Sequence, residues 1–352
     1  MATYRRVEDR VASTGPFSTG MSRENALAAA LHVSNGDATN LPATGLARNI
    51  LYWRDALHEG PVPAVEPVEL RRIRSAFLTD AGADDRAEGA AMFAERDRTL
   101  EAHRDGRYVL WFEADLYDQL QIIQVLDRLA ALDVSAQRID LICIGEHPGI
   151  ARFAGLGQLD AVQLRHLAWT NARATLTPTA LELASRAWAA FRAPSPDGLN
   201  AVAATQSVEL RFLGEAFDRL AREYPSTRDG LSLTERRALA AVRGGAVNAE
   251  TAFLRLGERE ARPYLGDTWF FATVNRLVKA STPLLSADPS DAPITGRTRL
   301  KLTRVGARVL AGKTDHLHLN GTDRWIGGVH LTGHAVPWRW DDGCEALTPR
   351  AE

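Results

Sequence analysis

The residues best equipped for chemistry lie in the stretch WRDALHEGPVP, residues 53–63, where Arg54, Asp55, His58 and Glu59 precede Gly60-Pro61. An imidazole titrates near neutrality, so His58 can act as a general acid or base, oriented by Asp55 or Glu59. Arg54 offers a planar fork for a carboxylate or phosphate. The competing reading is a surface turn whose histidine bonds locally. A second group, Asn35-Gly36-Asp37, follows another apolar run and presents backbone N–H groups of the kind that receive anions at a helix start. Asp37 would repel a bare phosphate, which points to a ligand bearing hydroxyls or amines, or to a bridging divalent metal. Asp37, Asp55, Glu113 and Asp115 together would suit Mg²⁺, which prefers oxygen ligands. Structural roles compete here too. Asp37 can cap the next helix, and Asp115 reads as an N-cap with Asp118 and Gln119 in the first turn.

These groups are positioned by a repeated design. Leu31–Ser34, Ile50–Trp53, Val109–Phe112 and Leu141–Ile144 are short apolar runs, each discharging into acids, His, Asn or Gly. Glu146 and His147 follow the last of them. Between the runs lie helical patterns. In Pro67–Arg104 the spacing of Leu70, Ile73, Phe77 and Leu78 is helical, and in Asp115–Leu132 Leu116, Leu120, Ile123 and Leu126 share one face. Strand–helix alternation with nearly all-apolar strands predicts an α/β fold, a Rossmann-like parallel sheet over residues 23–150. Ligands of such sheets bind outside the carboxyl ends of the strands, where the polar groups accumulate.

Residues 151–230 read as an all-helical segment, with Thr177-Pro178 opening one helix and Glu209–Tyr224 forming another. Residues 231–315 follow a different plan. Ser232 and Glu235 form a capping box, Asn248 caps a second helix, Asp267–Lys279 is a third, and GRTRLKLTR alternates Arg297, Arg299 and Lys301 against Leu300 and Leu302. Three helices and a two-stranded wing resemble a winged helix-turn-helix. In that reading Arg276 and Lys279, with Asn275, would face a groove while Arg297, Arg299 and Lys301 contact phosphates. This segment carries fourteen Lys/Arg against eight Asp/Glu, 14 − 8 = +6, although the whole chain is −2. A solvated helical surface explains the same excess. Residues 316–352 form a tail rich in Trp and Gly, expected to fold as a compact hairpin.

The 352-residue chain, 45% apolar and 24% charged, has the composition of a globular protein with a full core. No apolar run is long enough to cross a bilayer. Cys143 and Cys344 are too few for a disulfide framework and read as reduced thiols of a cytoplasmic protein. Residues 1–22 are polar and turn-rich, which predicts a disordered leader with Met21 as a second possible start. No Walker loop, GxGxxG, CxxC, HExxH or nucleophile elbow occurs, which removes the familiar nucleotidases, dehydrogenases and hydrolases. His316, His318, His330 and His334 have HxH and HxxxH spacing, but no Cys stands among them and no zinc is assigned. Of Arg54, Arg324 and Arg339, only Arg54 is assigned to a ligand.

Several phrases occur together: LHVSNGD, WRDALHEGPVP, WFEADLYDQLQ, ICIG and GLGQL, then GLSLTER, RWIGGVHL and WRW. In this combination the chain resembles an uncharacterised bacterial family, domain of unknown function 1835, over roughly residues 30–341, almost the whole chain. The resemblance implies no activity, and residues before Met21 lie outside it. Two functions follow from the residues. One is a small-molecule-binding protein or an enzyme of group transfer or hydrolysis acting on a small polar metabolite, with His58, Asp55 and Glu59 catalytic and Asn35, Gly36, Asp37, Arg54, Glu113 and Asp115 binding. The other is a DNA-binding regulator with the α/β part as sensor.

Overall fold

The computed structural model describes residues 23–80 and 86–350. The expected leader and the alternative start at Met21 lie outside the described residues. In chain order the first part comprises α1 (Arg23–Ala29), β1 (Leu31–Ser34), β2 (Asn49–Tyr52), α2 (Pro67–Asp80), α3 (Arg86–Ala102), β3 (Tyr108–Glu113), α4 (Leu116–Ala131) and β4 (Ile139–Ile144). After these come α5 (Ala161–Leu167), β5 (Arg173–Thr175), α6 (Pro178–Arg192), α7 (Leu199–Ala203) and α8 (Leu213–Ala221).

β1 to β5 form one sheet in the order β2-β1-β3-β4-β5. The first four strands are parallel and β5 runs antiparallel at the edge, with Leu141 opposite Ala174. The chain steps outward from β1 to β2, then crosses back to β3, so strand order reverses between β1 and β3. β3 and β4 are buried almost end to end, which is why both read as unbroken apolar runs. The expected all-helical character of 151–230 needs correction, because β5 lies within it. Three residues, Arg-Ala-Thr, are too few to show a strand period.

One apolar core joins the sheet to much that follows it. Val33, Leu110 and Leu141 from the strands, Leu120 and Ile123 from α4, Trp188 and Phe191 from α6, and Phe217 from α8 belong to a single buried cluster. Ile326, Leu331 and Trp340 from the tail complete it. The expected breaks near 150 and 315 are therefore not breaks in this core. A smaller cluster packs the opposite face of the sheet around Val109, Trp111 and Ile142.

The remaining elements are α9 (Leu233–Arg243), α10 (Ala249–Gly257), α11 (Asp267–Lys279), β6 (Leu285–Asp288), β7 (Arg299–Leu302), α12 (Arg304–Leu310) and α13 (His316–Asn320). Ser232 and Glu235 make the capping box that opens α9, and Asn248 caps α10 by accepting from Thr251 N–H. α9 to α12 enclose their own core, with Leu239, Phe270, Val274 and Leu300 at its centre. The tail forms two hairpins rather than one. β8 (Thr322–Ile326) pairs with β9 (Val329–Gly333), and β10 (Trp338–Asp341) pairs with β11 (Ala346–Pro349). No described helix is long and apolar enough to cross a membrane.

Candidate functional site

At the carboxyl end of β3 the chain leaves the sheet through Glu113 and Ala114 and enters α4 at Asp115. Asp115 caps the helix by accepting from Asp118 N–H at 3.1 Å, as its position predicts. Asp118 then points back towards the strand. Its Oδ2 accepts from the Glu113 backbone N–H at 2.5 Å, and its Oδ1 accepts from the Asn35 amide at 2.6 Å. Asn35 stands at the end of β1, so this contact crosses the point where strand order reverses. Glu113 accepts from Leu156 N–H at 2.6 Å and lies against Gly155, where a Cβ would sit 2.6 Å from its carboxylate oxygen. Only glycine leaves that room.

Glu113, Asp115 and Asp118 each contribute a carboxylate oxygen to one group, and these oxygens lie within 4.8 Å of one another. No Lys or Arg among the described residues forms an ion pair with them. All three carboxyls are pushed above the usual range, with burial the main cause. Repulsion from Asp115 adds to the shift at Glu113, and repulsion from Asp115 and Glu113 adds to it at Asp118. Three such groups cannot all ionise unaided, so near neutrality the cluster either retains a proton or takes a cation. A retained proton makes a general acid. An all-oxygen donor set suits a hard divalent cation, with Glu113, Asp115 and Asp118 as the ligands.

The site continues along the end of β4. Arg211 donates to the Cys143 carbonyl at 2.6 Å, and Arg262 donates to that of Gly145 at 2.5 Å. Both arginines line a cleft of about 790 Å³ with Glu146, His147 and His166. Arg262 also lines a small hollow beside Glu113, Asp115 and Gly155, which makes it the wall shared by cluster and cleft. Cys143 is buried beside this end, its thiol 3.3 Å from the Glu113 carbonyl, whereas Cys344 is exposed; both are free thiols.

The stretch after β2 is arranged differently from the expectation. Asp55 neither orients His58 nor joins the carboxylates. Its Oδ1 is held by Arg74 Nη2 at 2.7 Å and Nε at 3.0 Å, both side chains being about 1% exposed. Glu59 pairs with Arg324 at 3.3 Å, and Arg324 continues to Glu223 at 2.9 Å, a link from the turn to the tail. His58 is buried with no hydrogen-bond partner at either ring nitrogen. The edges of Tyr117, Tyr264 and Trp269 surround it at 5.6, 5.3 and 6.2 Å between centroids. Burial lowers its pKa to about 4, so the ring is neutral and has no partner to orient it. Gly60 takes φ +76°, and a Cβ there would meet the Phe77 ring at 2.5 Å. Phe77 in turn stacks on Trp269 of α11 at 5.6 Å, so this turn is where α11 docks on the sheet domain.

The four acids expected to converge therefore separate. Asp37 forms an exposed pair with Arg54 at 2.9 Å, which engages both residues at the surface and uses the fork assigned to a ligand. Gly36 stands in open space, with nothing within 4 Å of an added Cβ. Glu113 and Asp115 do come together, joined by Asn35 and by Asp118. Asp118 was assigned only to the first turn of α4; its spacing from Asp115, one helical turn on the same face, is the signal that finds it. Arg211 and Arg262 carry no comparable signal, because they reach the site from distant parts of the chain.

No protein-family model matches this sequence, and no curated protein matches it. The structure shows an α/β protein with a largely buried carboxylate cluster where its strand order reverses.

Proposed function

We propose that this protein binds a small polar metabolite at the carboxyl ends of β1, β3 and β4, and that the cluster of Glu113, Asp115 and Asp118 is the chemical centre of that site. The observation that carries the reading is three gathered carboxylates, Asp115 and Asp118 buried and Glu113 half-buried, with no Lys or Arg paired to them among the described residues, beside a cleft with two arginines. The reaction class is group transfer or hydrolysis. The cluster supplies a proton, or holds a divalent ion such as Mg²⁺, while Arg211 and Arg262 orient an anionic part of the ligand. His58 packs against α11, Glu59 ties the turn to the tail and Asp55 ties it to Arg74 of α2, so in this reading the three have structural rather than catalytic roles. The strand order supports a Rossmann-like reading of the first domain, the resemblance to domain of unknown function 1835 remains our family assignment, and the free thiols fit a cytoplasmic location.

A thermal-shift screen of wild type and Glu113→Gln against divalent metals, nucleotides, sugars and amino acids tests this. A metal or metabolite shift that Glu113→Gln removes supports the site. A shift of equal size in both proteins places binding elsewhere.

A second reading, a DNA-binding regulator, is favoured by one surface. α9 to α11, the β6–β7 hairpin and a bridge from Asn248 to Arg299 support a winged-helix-like reading of 231–315. Arg297, Arg299 and Lys301 are exposed together along the hairpin, and Asn275, Arg276 and Lys279 are exposed on α11. Against it, Trp269 near the start of α11 is stacked on Phe77 of the sheet domain, so the end of the helix that would enter a groove is already packed. An electrophoretic shift that weakens steeply with salt and is lost in Arg299→Ala/Lys301→Ala would establish it; no shift at low salt eliminates it.

A further inference from the structure

The carboxylate cluster is closed in this structure. The hollow beside Glu113, Asp115 and Gly155 measures about 10 Å³, and a single water needs about 10–15 Å³, so no metabolite reaches the carboxylates as they stand. The neighbouring cleft measures about 790 Å³. We propose that Arg262 is the gate between the two, and that an anionic group entering the cleft opens it, so that metabolites without one are kept from the carboxylates. This gate presupposes that Glu113, Asp115 and Asp118 are the site, and it decides what is admitted to them.

Three residues line both the hollow and the cleft: Ile144, Gly145 and Arg262. Ile144 is buried at the end of β4 and Gly145 has no side chain, so only Arg262 can swing aside while the sheet stays in place. Its Nη1 donates to the Gly145 carbonyl at 2.5 Å, and a Cβ on Gly145 would lie 2.7 Å from the same nitrogen. The guanidinium thus fills the space that a side chain at 145 would take. When it leaves, nothing of Gly145 closes the gap. A second cleft, of about 460 Å³, also ends on Arg262.

The backbone on either side of the gate is pinned. Glu260 is buried and pairs with Arg219 of α8 at 2.8 Å and with Arg237 of α9. Tyr264 lies under the Arg219 guanidinium at 5.1 Å and edge-on to His58 at 5.3 Å. Opening is therefore a swing of one long side chain rather than a displacement of the loop. Arg262 itself is held weakly. Its side chain is 32% exposed, and its one acid partner, Glu215, stands 3.5 Å away and is 44% exposed. A pair so open to solvent contributes little. Its other bond is to a neutral carbonyl, whereas an oxyanion takes two nitrogens of a guanidinium fork at once and brings a full charge. Arg211, exposed nearby and bonded to the Cys143 carbonyl, offers a second fork. Both guanidinium groups stack on Phe212, at 4.9 and 5.3 Å. Glu146 and Glu215 formally balance the two arginines, so selection lies in the paired forks rather than in a charge surplus.

Carboxyl labelling of the full chain with a water-soluble carbodiimide and glycinamide at pH 6, without divalent ions and read by peptide mass spectrometry, tests the gate. Arg262→Met keeps an unbranched apolar stem over Phe212 and loses the fork. Glu113 and Asp115 should label about tenfold faster in it than in wild type, because access no longer waits on a local opening. Asp37, 75% exposed, is the fast reference, and the buried Asp55 and Asp229 are the protected ones. Sodium sulfate in place of sodium chloride at matched ionic strength should speed labelling of Glu113 and Asp115 severalfold in wild type and leave Arg262→Met unchanged. Sulfate otherwise tightens folded proteins, so general loosening cannot produce that result. Equal labelling in wild type and Arg262→Met, labelling that rises in the variant only together with Asp55 and Asp229, or no effect of sulfate on wild type would each overturn the proposal. Labelling reads access alone, so it is separate from the Glu113→Gln screen. A cluster that opens to sulfate while Glu113→Gln removes no ligand shift upholds the gate and counts against the function proposed above.

Discussion

After β2 the chain places Asp55, His58 and Glu59 within five residues; after β3 it places Glu113, Asp115 and Asp118 within six. The acids after β2 are answered by arginines from elsewhere, Arg74 from α2 and Arg324 from β8, and the histidine between them is walled in by aromatic rings. The acids after β3 meet backbone N–H groups, the Asn35 amide and one another. A buried acid with a dedicated arginine is a joint between elements. Acids gathered with no arginine or lysine partner call for a shared proton or a bound cation, and that is the ground for the site proposed there.

Removing one partner at each end should separate the two regions most sharply. Asp55→Ala leaves the Arg74 guanidinium buried and uncompensated, and should lower unfolding free energy by about 3–5 kcal/mol, read from the urea midpoint. Glu113→Gln keeps an acceptor for Leu156 N–H and removes one like charge. It should raise stability at pH 8 by roughly 1 kcal/mol, a change of opposite sign. Equal destabilisation by both would erase the distinction.

The pH profiles should also diverge. The folded-state pKa of His58 is depressed to about 4, so between that value and 6.5 the unfolded chain takes up the proton first. Stability should therefore fall as pH drops through this window, by about 3 kcal/mol, and His58→Phe should remove that part of the slope. The carboxylates of the cluster are raised, so their contribution has the opposite sign: stability falls as pH climbs above the ordinary carboxylate range and the folded protein is forced to ionise them. Subtracting the Glu113→Gln profile from that of wild type isolates this slope. A slope rising with pH would contradict the burial of the cluster.

Smaller again is the response to cations. Mg²⁺ at about 100 times its dissociation constant should stabilise wild type by roughly 2.7 kcal/mol at pH 8, less at pH 5 where protons compete, and not at all in Glu113→Gln. The least effect belongs to Asp37→Ala, which breaks only an exposed pair with Arg54 and should change stability by under about 1 kcal/mol. A larger loss would return Asp37 to the site.

Much of this architecture is visible along the chain because it depends on local chemistry. The parallel strands announce themselves as apolar runs, since a strand covered on both faces has no solvent-facing positions to alternate. Thr177-Pro178, Ser232 with Glu235, Asn248 and Asp115 mark helix starts because capping is a contact between near neighbours in sequence. For the same reason the ends of β1 and β3, with Asn35, Glu113 and Asp115, are legible as places where polar groups collect.

The tertiary structure alone decided which of those groups meet. Arg74 lies nineteen residues from Asp55, and Arg324 lies 265 residues from Glu59, so no spacing rule shows that the acids after β2 are neutralised. His58 reads as a catalytic base by residue type, but an imidazole functions only with a partner to exchange protons, and packing against Tyr117, Tyr264 and Trp269 removes every one. Residue types and short-range order determined the strands, the caps and the candidate edge of the sheet. Charge pairing and desolvation act through space between distant segments, and they decided that the acids after β2 are paired with arginines while the carboxylates after β3 gather together, where the site is proposed.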